Sequence, residues 1–120
     1  MSRISEELRA RTKAYASSIV RFYVALPKRR PEVQVLGHQL LRSGTSVAGN
    51  FREASRARST AEFVSKIDTC IQEADESELW LQLLRDDCGI ATGETVHLLT
   101  ETNELISIFV TIARRTKGSK

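Results

Sequence analysis

The sequence predicts an all-α chain, a single antiparallel four-helix bundle with up-down-up-down topology. Three observations predict it. Prolines occur only at Pro27 and Pro31, so the rest of the chain is free to be helical. Apolar residues recur at alternating three- and four-residue spacings through four long segments. Turn and capping signals fall between those segments, and short connections between long helices force neighbours antiparallel. One hundred and twenty residues make one domain, 1–120, large enough to bury a core without staples. Aromatic content of 6% is low, as expected where Leu, Ile and Ala fill helical seams.

The first helix is expected over 5–26. Ser5 can cap it, with Glu6 and Glu7 at its positive end. Leu8, Tyr15 and Phe22 recur every seven residues, with Thr12, Ile19 and Leu26 as the adjoining column. Pro27 ends the helix, because the residue before proline avoids helical geometry. Lys28-Arg29-Arg30 makes the turn, and Pro31 suits the first position of a second helix over 31–57. There Leu36, Leu40, Val47, Phe51 and Ala54 form the apolar stripe, and Ser43 and Asn50 share it. Small and polar groups on an inward face call for close backbone contact and a partner for the amide.

Ser59-Thr60-Ala61-Glu62 is a capping-box pattern opening a third helix over 60–88. Its seam of Phe63, Ile67, Cys70, Ala74, Ser77, Leu81, Leu84 and Cys88 alternates four and three without a break. Gly89 can cap its end. Thr92 is the N-cap expected for a fourth helix over 93–115, with Leu98, Thr102, Leu105, Phe109 and Ile112 inward and residues 116–120 frayed. Cys70 and Cys88 would lie about 27 Å apart along a helix, too far for a disulfide. They read as small buried hydrophobes.

Nothing at the N-terminus has the pattern of a signal peptide, and no run approaches the ~20 apolar residues of a membrane span. The expectation is a cytoplasmic protein with no membrane contact. A di-metal site in a bundle uses Glu-x-x-His pairs on facing helices. Glu94 and His97 make one such pair, whereas Val35 stands three before His38. The cysteines lack zinc-ligand spacing. Gly37, Gly44 and Gly49 are spread within a helix rather than gathered in a phosphate-cradling loop. No His or acid is arranged to activate a serine. The expectation is no catalytic centre, no metal and no cofactor.

A net charge of +3 hides a segregation. Residues 1–58 hold 12 basic and 4 acidic groups, residues 59–113 hold 2 basic and 11 acidic, and residues 114–120 add 4 basic. The up-and-down path gathers Arg3, Arg9, Arg11, Lys13, Arg52, Arg56, Arg58, Arg114, Arg115, Lys117 and Lys120 at one pole. Glu6, Glu7, Glu53 and Glu62 partly offset them. The opposite pole sets Lys28, Arg29 and Arg30 against Asp86, Asp87 and Glu94, and the middle of the third helix is acidic through Glu73, Asp75, Glu76 and Glu78. A basic pole is the footprint of phosphate binding, although cations at helix C-termini also complement the helix dipole.

The segment Arg42-Ser43-Gly44-Thr45-Ser46-Val47, then Asn50, then Glu53-Ala54, resembles the four-helix-bundle family first seen encoded inside 23S rRNA intervening sequences. That family also includes the accessory variability protein of diversity-generating retroelements. Glu73-Ala74-Asp75-Glu76-Ser77 followed by Trp80-Leu81 is a second matching block. Gly49 and Ala54 depart from residues common in relatives, as packing variation would. The resemblance implies a small homo-oligomer, a pentamer in known members, that binds RNA or DNA without catalysis. It could serve a reverse transcriptase or a structured RNA.

On that expectation the nucleic-acid contacts are Arg9, Lys13, Arg52, Arg56, Arg58, Arg114, Arg115 and Lys117. Asn50 and Glu53, which share a helix face, match the family's polar pair. Either they are structural, with Asn50 bonded across a helix crossing and Glu53 paired to an arginine, or they touch a ligand; the structural role is the expectation. Trp80 lies off the main stripe, so it closes the core's edge or packs at a subunit interface. With an oligomer implied, the interface is expected. The rival function is a protein-interaction module whose acidic third helix docks a basic partner.

Overall fold

The computed structural model describes residues 3–118. Four helices, α1 (Arg3–Ala25), α2 (Pro31–Ser55), α3 (Thr60–Asp86) and α4 (Gly93–Gly118), form a bundle 51 × 21 × 20 Å across. Chain neighbours pack along their lengths, α2 on α3 most extensively. α1 and α4 approach each other least among chain and bundle neighbours, and α1 and α3 stand on the diagonal, their backbones apart. The chain is therefore an all-α four-helix bundle, as its periodicity predicts.

Helix ends differ from expectation where local bonding decides them. α1 is already helical at Arg3, so Ser5 lies inside the helix rather than capping it; an Arg3–Glu7 ion pair of 3.2 Å supports that extra turn. α2 stops at Ser55 because the next amides bond three residues back, Arg56 to Glu53 and Ala57 to Ala54, a tightening that closes the helix. Ser59 caps α3 as predicted, its Oγ accepting from the Glu62 N–H at 3.1 Å. α3 ends at Asp86, which leaves Cys88 just beyond it, and Gly89 supplies the φ of +74° that turns the chain. Thr92 Oγ1 caps α4 by accepting from the Thr95 N–H. Residues 116–118 do not fray: Thr116 donates to the Ile112 carbonyl at 2.7 Å and Lys117 reaches Asp68. Lys120, part of the predicted basic pole, lies outside the described residues.

The core runs the length of the bundle through Leu8, Ile19, Val33, Leu40, Phe51, Ile67, Leu81, Leu98, Leu105 and Phe109. Cys70 and Cys88 are buried in it with free thiols. The close approach demanded by the small residues of α2 falls on α1. A Cβ at Gly44 would stand 2.8 Å from Ile19 Cγ1, and one at Gly37 would stand 2.6 Å from Leu26 Cδ1.

At mid-height each helix contributes one buried hydroxyl: Tyr15, Ser43, Ser77 and Thr102. Ser43 and Ser77 share a 2.8 Å hydrogen bond, and Tyr15 and Thr102 one of 2.6 Å. Ser77 and Thr102 also donate to the Glu73 and Leu98 carbonyls of their own helices. A buried hydroxyl is tolerated only with a partner, so this layer holds the four helices at one relative height. Burial pushes the Tyr15 phenol up to about 12, with the Thr102 and Ser77 hydroxyls partly offsetting it. Burial likewise pushes the Cys70 thiol up to about 12.

Candidate nucleic-acid interface

The start of α1, the end of α2, the start of α3 and the end of α4 meet at one pole. On its α1–α2 side, Arg9 and Lys13 converge with Arg52 around a shallow depression of about 340 Å³, with Glu6 and Ala10 completing the wall. The geometry follows from spacing. Arg9 and Lys13 are one turn apart, and Arg52 sits on the last full turn of α2, which runs antiparallel beside them. Arg56 and Arg58 continue this group into the exposed α2–α3 turn. Lys13, Arg52, Arg56, Arg58, Arg114 and Arg115 enter no ion pair among the described residues.

Other predicted members of the pole are already occupied. Arg11 bridges to α4, donating to both Glu101 oxygens at 2.7 and 2.8 Å and to Glu104 at 3.0 Å. The Glu101 hydrogen bond, helped by Glu104, pushes its pKa above the usual arginine range, against partial burial. Arg11 is a strut between the two least-packed helices rather than a phosphate ligand. Lys117 lies 3.7 Å from Asp68. Arg114 and Arg115 are exposed on the last turns of α4 and line none of the Arg9–Lys13–Arg52 depression.

The polar pair differs from expectation. Asn50 does not bond across a helix crossing: its Nδ2 donates to the Ser46 carbonyl, 2.9 Å away, four residues back in α2. The crossing bond belongs to Ser43 and Ser77 instead, because Ser43 is fully buried whereas Asn50 lies at the rim. Glu53 pairs with Lys66 of α3 at 2.7 Å rather than with an arginine. Lys66 is a pole cation that the reading by segment charge overlooked, and Glu53 raises its pKa through that hydrogen bond. On the same α2–α3 seam Arg42 holds Glu76 at 2.7 Å and Glu73 at 3.4 Å, so one arginine engages two of the four carboxylates of the acidic belt of α3.

Trp80 is partly buried against the core. Its indole Nε1 is the one buried side-chain nitrogen or oxygen without a hydrogen-bond partner among the described residues. Glu73, Glu76 and Trp80 share a flank of α3, so the tryptophan lies on the α2–α3 seam that Arg42 bridges.

Among the described residues no three His, Cys, Asp or Glu side chains gather as metal ligands, and no helix is long and apolar enough to cross a membrane. Of the hydroxyls lining the depressions of about 530 Å³ beside Lys117 and about 500 Å³ beside Pro27, Thr69 donates to the Ser65 carbonyl and Thr92 caps α4. These features define a small all-α bundle protein with an exposed cationic end. The chain belongs to the 23S rRNA-intervening sequence protein family, which matches residues 6–111. It is similar to a protein of unknown function from the S23 ribosomal protein family of Bacteroides thetaiotaomicron VPI-5482, solved by crystallography at 1.70 Å. The two are 30% identical with a TM-score of 0.81, over 92% of this chain and 97% of that one. No curated protein matches the chain.

Proposed function

We propose that this family member is a cytoplasmic nucleic-acid-binding accessory protein that assembles into a ring, a pentamer, and performs no catalysis of its own. One observation carries the reading. Lys13 near mid-height and Arg52 nearer one pole, from two helices, converge on one depression with Arg56 and Arg58 beyond them toward that pole, and none of the four enters an ion pair among the described residues. Elsewhere the fold pairs its cations readily, as at Arg11, Arg42 and Lys66. Cations left exposed and clustered attract phosphates, and a ring would repeat the cluster around its axis. Interactions of this kind position a backbone without reading bases, so binding is strongly salt-dependent and weakly sequence-specific. A family described by its 23S rRNA setting accords with structured RNA as the polyanion. Service to a reverse transcriptase fits the same chemistry.

Trp80, with its unpartnered indole, supports an assembled state in which the α2–α3 seam is covered. The rival role, docking a basic protein on the acidic α3 face, loses ground because Arg42 occupies Glu73 and Glu76. The test is fluorescence anisotropy with labelled single- and double-stranded oligonucleotides over a salt series. Reversing Arg56 and Arg58 to Glu should weaken RNA and DNA binding alike. The log–log salt slope should fall by about one for each phosphate the protein no longer neutralises. Reversing Lys28 and Arg29 at the far pole should change little.

A further inference from the structure

The pole opposite the arginine cluster holds a cavity of a different character. There the end of α1 and the α3–α4 turn stand apart across the loosest seam of the bundle, leaving a depression of about 500 Å³. Small-molecule sites span roughly 300–1,000 Å³. Phe22 and Leu26 give it one apolar wall and the half-buried Ile90 another. The second wall is fixed by the backbone. The Ile90 N–H donates to the Leu84 carbonyl at 2.9 Å, and its carbonyl accepts from Thr95 Oγ1 at 2.8 Å.

The polar groups of the rim are few. The Thr92 hydroxyl is spent on capping α4. Two charges remain, Arg21 on α1 and Glu94 in the first turn of α4. Both are exposed, and neither enters an ion pair among the described residues. They line one depression with opposite signs, yet they stay beyond ion-pair distance of each other. Arg21 reaches only the Ser18 hydroxyl, at 3.3 Å, which leaves most of its five donors uncommitted.

We propose that this cavity binds a free α-amino acid with a large apolar side chain. Its carboxylate sits on Arg21, its ammonium on Glu94, and its side chain between Phe22, Leu26 and Ile90. The charges select the ligand class. A simple acid or amine leaves one rim charge unmatched, and an apolar solute leaves both. A zwitterion carries the two signs on one carbon, so it bridges two side chains that do not reach each other. The planar fork of the guanidinium suits a carboxylate, and the apolar walls reward each methylene removed from water. The cavity and the Arg56–Arg58 turn lie at opposite ends of a 51 Å body, so this ligand does not compete with a polyanion. The inference stands whether or not the nucleic-acid reading does.

The experiment is a titration with millimolar ligand, followed by backbone-amide NMR and calorimetry. L-phenylalanine should bind saturably, with shifts concentrated at Ala25, Gly89 and Ile90, and glycine should not bind. Phenethylamine, which lacks the carboxylate, and hydrocinnamate, which lacks the ammonium, should each bind about tenfold more weakly. Arg21→Gln should weaken L-phenylalanine about tenfold and leave phenethylamine unchanged. Glu94→Gln should weaken it similarly and leave hydrocinnamate unchanged. Both side chains are exposed, so both variants should melt as wild type does. No saturable response to L-phenylalanine, equal affinity for all three probes, or variants that bind as wild type would each overturn the proposal. N-acetyl-L-phenylalanine amide stands in for a phenylalanine within a polypeptide and should not bind. If it binds as tightly as the free amino acid, the occupant is a partner protein's side chain and the proposal falls.

Discussion

Two sets of polar groups in this molecule are treated in opposite ways. At mid-height the Tyr15, Ser43, Ser77 and Thr102 hydroxyls are buried, and each has a partner on a neighbouring helix. Along the α1–α2 side and out to the pole, Lys13, Arg52, Arg56 and Arg58 are exposed and enter no ion pair among the described residues. The first set answers only to the fold: remove a partner and the cost is stability. The second contributes little to the fold and is available to another molecule. Substitutions should separate the two cleanly.

The largest stability effect is expected where the interior is tightest. Gly44→Val would drive a branched side chain into Ile19, whose nearest atoms are 2.8–2.9 Å from an added Cβ. It should cost about 3 kcal/mol or more, at the upper end of overpacking effects, and lower the thermal midpoint. The same variant at Gly49, where a Cβ meets nothing within 4 Å, should cost far less, chiefly through helix propensity.

Next comes the hydroxyl layer under alkali. Tyr15 titrates near 12 in the fold, against about 10 when unfolded, so the folded state holds its proton more tightly. Its stabilising contribution is complete below pH 10 and lost as pH rises from 10 to 12; two units correspond to about 2.7 kcal/mol. Cys70, raised to about 12 from 9, adds loss of the same sign from pH 9 upward. Chemical denaturation between pH 8 and 11 should show this decline, and Tyr15→Phe should make it shallower. Tyr15→Phe should itself cost about 1 kcal/mol at neutral pH through removal of the hydrogen bond.

A smaller effect is expected at Asn50. Its amide bonds only within its own helix, so Asn50→Ala should shift stability by about 0.5 kcal/mol or less and leave the oligomeric mass unchanged. A large loss on thermal melting would show that the amide has a second partner in the assembly.

Much of the fold was legible in the sequence because its signals are local. Pro27 and Pro31 bracket one turn, Ser59 and Gly89 mark the ends of α3, and the unbroken seam from Phe63 to Leu84 fixes its buried face. What was not legible depends on residues far apart in the chain. Arg11 counted as a pole cation until its carboxylates, 90 and 93 positions away, were placed beside it. Lys66 disappeared into an acidic segment, though the fold sets it against Glu53. Ser43 was visible as a polar residue on an apolar stripe. Its partner Ser77, and the pairing of Tyr15 with Thr102, required the relative heights of the helices. One polar residue near the centre of each seam was the available clue.

The central claim is that the exposed cations of the pole serve phosphates, and salt-dependent binding tests it most directly. With Arg52, Arg56 and Arg58 all reversed to Glu, the protein should melt within about 0.5 kcal/mol of wild type and keep its mass. Its affinity for labelled RNA and DNA should collapse, and the slope of log affinity against log salt should fall by about three. Wild-type protein that binds neither polymer at low ionic strength, or a triple variant that binds as wild type does, would contradict the account.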